Sequence, residues 1–453
     1  GGKYAEGLGK ARALVAGVRP LGYAPLLADA LVRTGKLEHA SGLEDRAQAS
    51  LFEALLVAER AGRDTARAEA CAGLAHIARR GSVPLDVGRM WAREALAIVG
   101  RLGGSPGFEA EATDALGLID GADGKLDTAE DEFRRAIVLY ETAYGADDVA
   151  HLPDALNQLG FVLAQRGKLA EAEAALERAH ALAVNGQGPE HPRVGYTEMQ
   201  LGVLSSQRGD NEAAVAHLER ARAILARSLP PDHFNFGNLD NNLGLAYQGL
   251  GREVDAIAAF ERARATFEHA FGADSPKLAA TLENLAMTYA DADKLDLALA
   301  TQQRALAMIE KAQPADHPDV AVAESNLGEL LRRAHRYDEA LTHLERAMTI
   351  LDKQGQDEFT IANTSTSIGR VHVETRRPAQ AIAPLERALT MREKLGGDPA
   401  DLGATRFALA RALDGAGRER ARARQLATQA LDDYRKARRA EAGEVETWLK
   451  GRR

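Results

Sequence analysis

The chain is poor in the residues that anchor most small or catalytic folds. Its 453 residues include one cysteine, Cys71, two tryptophans and only 5% aromatic side chains. A single cysteine excludes an intrachain disulfide framework and fits a reducing compartment. No run approaches the ~20 consecutive apolar residues of a membrane-spanning helix, and the N-terminus lacks the apolar core of a signal peptide. The expected location is cytoplasmic. Positive charge is not in excess either: the net charge is −9, which speaks against indiscriminate nucleic-acid binding. Charge is uneven, however, because Asp401–Arg453 holds 13 Lys/Arg against 8 Asp/Glu. That basic end reads as a solvated capping face or as a docking patch for an acidic partner.

Catalytic spellings are scarce as well. Gly103-Gly104-Ser105-Pro106-Gly107 has the letters of a nucleophile elbow, but that motif needs a strand before it and a helix after it. Gly7-Leu8-Gly9-Lys10 is too short for a phosphate-binding loop. His-Glu-x-x-His and Cys-x-x-Cys spacings are missing, so no metal and no cofactor are expected. His-Arg-Asp, Asp-Phe-Gly and Val-Ala-Ile-Lys are missing too, and with them any kinase signature. The chain is expected not to be an enzyme.

What the chain does have is a returning phrase. It reads Asn-Asn-Leu-Gly-Leu-Ala-Tyr at Asn241–Tyr247, Asn-Leu-Ala-Met-Thr-Tyr at Asn284–Tyr289 and Asn-Leu-Gly-Glu-Leu-Leu at Asn326–Leu331. The small residues at its centre are Gly117, Gly160, Gly202, Gly244, Ala286, Gly328, Gly369 and Ala410, spaced 41 to 43 residues apart. Looser copies precede them around Ala28–Gly35 and Leu74–Gly81. Self-similarity at such a period marks a solenoid.

Each period has one internal grammar. Apolar residues recur three and four apart on both sides of a turn residue, as two amphipathic helices require. The turn falls seven after the small residue, at Gly124, Gly167, Gly209, Gly251 and Gly417, with Asp293 and His335 replacing glycine in two units. Gly160 and Gly244 lie inside a helix, where glycine costs about 1 kcal/mol relative to alanine. Their recurrence predicts a helix packed too close for a side chain. A second small position follows at Ala172, Ala214, Ala256, Ala298, Ala340 and Ala381, and a Glu-Arg-Ala tag ends at Ala179, Ala221, Ala263, Ala347 and Ala388. Units close on proline-bearing loops such as His191-Pro192, Ser275-Pro276, His317-Pro318 and Gly397-Asp398-Pro399. His191, His233 and His317 are one repeat position and read as loop residues that cap a helix or bond the next unit.

The small crossing residue, Tyr247 or Tyr289 three later, the turn, then Ala256 and Phe260 resemble the tetratricopeptide pattern. The longer period, the Asn-Leu-Gly phrase and the His-Pro loop are similar to its kinesin-light-chain type. The resemblance implies an all-α, right-handed α-solenoid of about ten tandem helix–turn–helix repeats over residues 21–430. Residues 1–20 are expected to be a linker or the end of an upstream segment, and 431–453 a capping helix and basic tail. Long arrays of this kind, with a closing segment like Trp448–Arg453, also resemble the C-terminal repeat regions of bacterial serine/threonine protein kinases of myxobacterial type.

The resemblance implies a concave groove lined by the first helix of each unit, hence a scaffold binding a protein or extended peptide for substrate recruitment or signal sensing. The residue two before the small one then faces inwards: Gln158, Gln200, Asn242, Asn284 and Asn326, followed by Ser367. A carboxamide offers donor and acceptor together, so such a row can pair with a peptide backbone whatever its side chains. The same amides could instead bond the adjacent helix. One turn on, Gln248, Arg332 and Arg333 are expected to face inwards, with Arg370 nearby. Arginine there would favour an acidic guest near residues 328–370. Self-association through weakly capped ends is open. The alternative reading is a regulatory region of a kinase whose catalytic domain lies elsewhere.

Overall fold

Glycine inside the first helix of a repeat removes the side chain that would hold the second helix away, and the fold is built on that contact. A computed structural model describes residues 2–78, 83–354, 358–396, 398–437 and 439–452, with the backbone alone for 2–5. Gly1, Gly81, Gly397 and Arg453, which the sequence pattern uses, lie outside them. Among the described residues every regular element is helical.

The chain divides into two units, 1–233 and 234–453. The first holds α1 (Gly2–Val18), α2 (Ala24–Ala40), α3 (Glu44–Ala61), α4 (Asp64–Ile77), α5 (Leu85–Arg101), α6 (Pro106–Ala122), α7 (Leu126–Tyr144), α8 (Leu152–Gln165), α9 (Leu169–Gln187), α10 (Pro192–Gln207) and α11 (Asn211–Leu225). The second holds α12 (Phe234–Gly249), α13 (Glu253–Phe271), α14 (Ala279–Asp291), α15 (Leu295–Ala312), α16 (Pro318–Arg333), α17 (Tyr337–Gln354), α18 (Glu358–Glu374), α19 (Pro378–Leu395), α20 (Pro399–Gly415), α21 (Arg420–Lys436) and α22 (Ala442–Lys450). From α2 to α21 each even-numbered helix packs most extensively on the odd-numbered one that follows. These ten pairs form an all-α repeat array. Helix α1, inside the stretch expected as a linker, packs on α2 through Arg12 Nη2 and Glu38 Oε1 at 2.7 Å.

The close approach is measurable at Gly328. A Cβ placed there would lie 2.6 Å from Leu344 Cγ and 3.2 Å from the Ala340 carbonyl oxygen, well inside van der Waals contact. Leu344 and Ala340 are fully buried, as are the tag alanines Ala179, Ala221, Ala263, Ala347 and Ala388. Where the period offers Ala286 instead, the facing residue is Gln302. It is buried, with Nε2 donating to the Ala323 carbonyl at 3.1 Å.

Turns close by one recurring bond. Lys168 N–H reaches the Leu163 carbonyl at 2.9 Å, and Arg252, Lys294, Arg336, Arg377 and Arg418 repeat it at 2.8–2.9 Å. This six-to-one bond needs a left-handed residue just before the donor. Gly167 supplies it with φ 73°, but Asp293, His335 and Arg376 adopt φ 57–59° with a side chain in place.

Proline loops start the next helix as expected. His191 and His317 accept through Nδ1 from the backbone N–H of Arg193 and Asp319 at 3.3 and 3.2 Å, and Asp398 accepts from Ala400 at 2.9 Å. In each the proline occupies the first helical position, where no N–H is required. At the far end Val445 of α22 is fully buried and Trp448 stands edge-on to Phe407 with centroids 6.0 Å apart. Some of the basic residues of this end are paired, Arg406 with Asp433, Arg452 with Asp414 and Arg435 with Glu446.

Candidate functional site

Neighbouring first helices in the second unit are stitched by a polar seam with a fixed register. Thr281 Oγ1 donates to Asn241 Oδ1 at 3.0 Å, Ser325 and Thr364 hydroxyls meet at 2.7 Å, and those of Thr366 and Thr405 at 3.0 Å. In each pair, a residue three before one small residue meets a residue five before the next. Inter-helix bonding thus falls mainly on the row beside the predicted carboxamides.

The carboxamides themselves sit half-buried on successive first helices, Gln158 on α8 and Gln200 on α10 in the first unit, Asn242 on α12 and Asn284 on α14 in the second. Among the described residues their side chains make no hydrogen bond to the protein, and the same holds for Gln248. Asn326 on α16 differs: its Nδ2 donates to Glu283 Oε1 at 3.2 Å. The reason is local. Ala323 stands where Thr281 and Thr364 stand in the flanking repeats, so Glu283 lacks a hydroxyl partner and takes Asn326 and Gln302 instead. Burial raises the Glu283 pKa, with those two amide donors opposing the rise. Ser367, at the corresponding place on α18, is buried and donates to Glu329 Oε2 at 2.8 Å.

The arginines are already engaged. Arg332 is buried, its fork holding both oxygens of Glu329 at 2.7 and 2.9 Å while Nη1 reaches Glu374 of the next first helix at 2.6 Å. Burial by itself would raise Glu329; the hydrogen bonds and charge of Arg332, the charge of Arg370 and the Ser367 hydroxyl outweigh it and hold the carboxyl at about 2. Arg370 lies 3.6 Å from the same carboxylate. Arg333 is paired with Asp291 at 2.8 Å and with the Ala290 carbonyl. The expectation that Arg332 offers a bidentate fork to a guest is therefore corrected. Glu329, one turn earlier on the same helix, and Glu374, one repeat later, take the fork.

Sequence reasoning passed over a buried acid four before the small residue. Asp240 is matched by Arg262 at 2.9 Å, Glu324 by Arg346 and His343, and Glu198 by Arg220 at 3.1 Å and His217 at 2.7 Å. All three acids are almost fully buried. The arginines are those of the Glu-Arg-Ala tag, which also reach back a repeat, Arg178 to Glu141 and Arg387 to Asp352. The signal was present as acid and tag arginine 22 apart. Ser105 lies in the turn between α5 and α6 with no strand before it, so the nucleophile-elbow geometry is not met.

Stacked helix pairs with these crossings define a helical-repeat protein. The sequence model of the tetratricopeptide repeat matches residues 151–227, 236–311, 279–353 and 319–394, together more than half of the chain. The chain belongs to the tetratricopeptide-repeat family. Among solved structures, the nearly identical tetratricopeptide-like repeats of a putative kinesin light chain of Podosopora anserina are 23% identical, with a TM-score of 0.40, over 46% of this chain and all of theirs. The BtubC (BKLC) protein of P. vanneervenii is 18% identical with a TM-score of 0.35, over 59% of this chain and 92% of its own. The apo form of RapI matches 82% of this chain and 97% of its own at 13% identity and a TM-score of 0.55, a likeness of fold. No curated protein matches the chain.

Proposed function

We propose that the first-helix face binds an extended peptide segment of a partner protein, read through its backbone by the carboxamide row. The observation that carries this is the division of labour on that face. Hydroxyls and Asn241 tie helix to helix, whereas Gln158, Gln200, Asn242 and Asn284 are left with donor and acceptor unused. None of these amides is among the buried polar atoms without a partner, so they stand open to solvent, and exchanging water for a guest backbone would contribute about 1 kcal/mol per hydrogen bond. Packed helices lie about 8–10 Å apart and an extended strand advances about 3.3 Å per residue, so within each unit the paired amides, Gln158 with Gln200 and Asn242 with Asn284, would meet every third residue of a guest. The charge at residues 328–370 is balanced internally, so this face is read as backbone-directed there rather than acid-seeking.

The reading is tested by capture of extended peptides by the full chain and by the Asn242→Ala, Asn284→Ala double variant. Binding should weaken at least tenfold in the variant with the helical content unchanged; equal affinities would remove the carboxamide row from the interface. The kinase-region reading rests on the closing segment, and there Trp448 already has a structural use against Phe407.

A further inference from the structure

The edge formed by the turns between first and second helices changes sign along the second unit. Every second helix from α3 to α17 opens with an acid in its first turn, among them Asp255, Asp296 and Glu339. The helix dipole favours a carboxylate there. Helices α19 and α21 open with none. Their turns carry Arg376, Arg377, Arg418 and Arg420 instead, all exposed. Arginine at a helix N-terminus opposes the dipole, so local stability does not explain the exchange.

The basic residue that closes each turn shows what is missing. Arg252 is answered by Asp255 at 2.7 Å and Arg336 by Glu339 at 2.6 Å. The corresponding places in the last two turns are Gln380 and Ala421. Arg377 lies 4.0 Å from Asp338 of the preceding turn. Among the described residues the side chains of Arg376, Arg418 and Arg420 have no acid partner. Acids without a base stand on the same edge. Glu253, Asp293 and Asp296 are exposed and equally unpaired. Beside them Val254 is 81% and Leu297 51% exposed, so that part of the edge is apolar as well as acidic.

These turns are neighbours. Arg333 of α16 reaches Asp291 of α14 at 2.8 Å, and a Cβ on Gly415 of α20 would lie 3.1 Å from Pro378 Cβ at the start of α19. In order, the α12–α13 and α14–α15 turns hold free acids, and the α18–α19 and α20–α21 turns hold free arginines. Between them the α16–α17 turn is balanced, with Arg336 on Glu339, Arg377 near Asp338, and His335 Nδ1 bonded to the Tyr337 hydroxyl at 2.8 Å. A two-fold axis through that middle turn would set each basic turn of one molecule against an acidic turn of the other. A surface of this kind is complementary to itself, as an isologous interface requires.

We infer that this edge docks a second copy of the chain, antiparallel, with Arg376 against Asp293 and Asp296, and with Arg418 and Arg420 against Glu253. The aliphatic stems of the arginines would cover Val254 and Leu297 while their charged heads meet the acids. The edge is distinct from the first-helix face, so the pairing does not depend on the peptide-binding reading.

Sedimentation equilibrium of the full chain tests this. At low salt the wild type should be a reversible monomer–dimer system. At about 1 M salt, where the screening length falls to about 3 Å, the dimer should weaken at least tenfold. Two charge-reversed variants carry the decision. Arg376→Glu with Arg420→Glu turns the edge acidic, and Glu253→Lys with Asp296→Lys turns it chiefly basic. Each should be monomeric with its circular dichroism unchanged. Mixed in equal amounts they should form a dimer again, because every reversed turn then meets an opposite charge. A wild type that stays monomeric to high concentration, a dimer that either variant leaves intact, or a mixture that stays monomeric overturns the interface. A monomeric wild type whose arginines retain a polyglutamate peptide would assign the basic turns to another acidic protein, and that result overturns it too.

Discussion

Leu344 Cγ lies 2.6 Å from the position a Cβ would take on Gly328. Helix propensity alone favours Gly328→Ala by about 1 kcal/mol, whereas overpacking a filled core costs about 1–3 kcal/mol. Because the Ala340 backbone backs the same space, packing wins. Gly328→Ala should lower the stability of α16 and α17, read as faster hydrogen exchange of their amides. Leu344→Ala in the same chain should recover part of that loss, a non-additivity of the kind contacting residues give.

Arg376 is an exposed residue held in the left-handed region at φ 57°. That conformation costs a non-glycine residue roughly 1–2 kcal/mol, and glycine returns part of the gain by loosening the unfolded chain. Arg376→Gly should stabilise the α18–α19 turn by about 1 kcal/mol, seen as a rise in the urea midpoint.

Glu329 is held at about 2, below the ordinary glutamate value near 4.3. Its folded pKa is depressed, so its contribution is complete above the unfolded value and disappears as pH falls towards the folded one. The second unit should lose stability between about pH 4.5 and pH 2, by an amount on the order of 2 kcal/mol. Glu329→Gln should flatten that part of the pH–stability curve and lower the plateau at pH 7.

Glu132 behaves in the opposite sense. Burial, then the charge of Asp120, pushes its carboxyl to about 7 against Arg89 and Arg93, and Oε2 is buried without a partner. The folded state binds this proton more tightly than the unfolded chain, so stability falls as pH rises from about 4.5 to about 7. Glu132→Gln should stabilise the first unit at pH 8 and do little at pH 4, measured by thermal melts at both.

Much of the array was legible because its signals repeat. The small residues, the turn seven later and the capping histidines each recur, and a repeated local cost has a common structural cause. Arg376 was missed because left-handed backbone in a residue other than glycine leaves no composition signal. The buried acids Asp240, Glu324 and Glu198 were missed because an acid on an apolar face is explained only by its arginine, 22 residues further on and in the other helix. Arg332 was misread since its partners lie one turn earlier and one full repeat later, and exposure follows from both. The carboxamides lie on the first helices of successive pairs, but only the neighbouring hydroxyl seam separates an amide that bonds the protein, as Asn241 and Asn326 do, from one that does not.

That seam is not uniform, and the difference has a mechanical side. Between α12 and α14 the bonds across the seam include a neutral one, Thr281 to Asn241. Between α16 and α18 the crossing bonds include Arg332 to Glu374, a buried guanidinium that cannot be parted from its acid cheaply. A guest that twists the second unit would thus meet a stiff joint beside Arg332, where turning one repeat against the next means parting a buried ion pair.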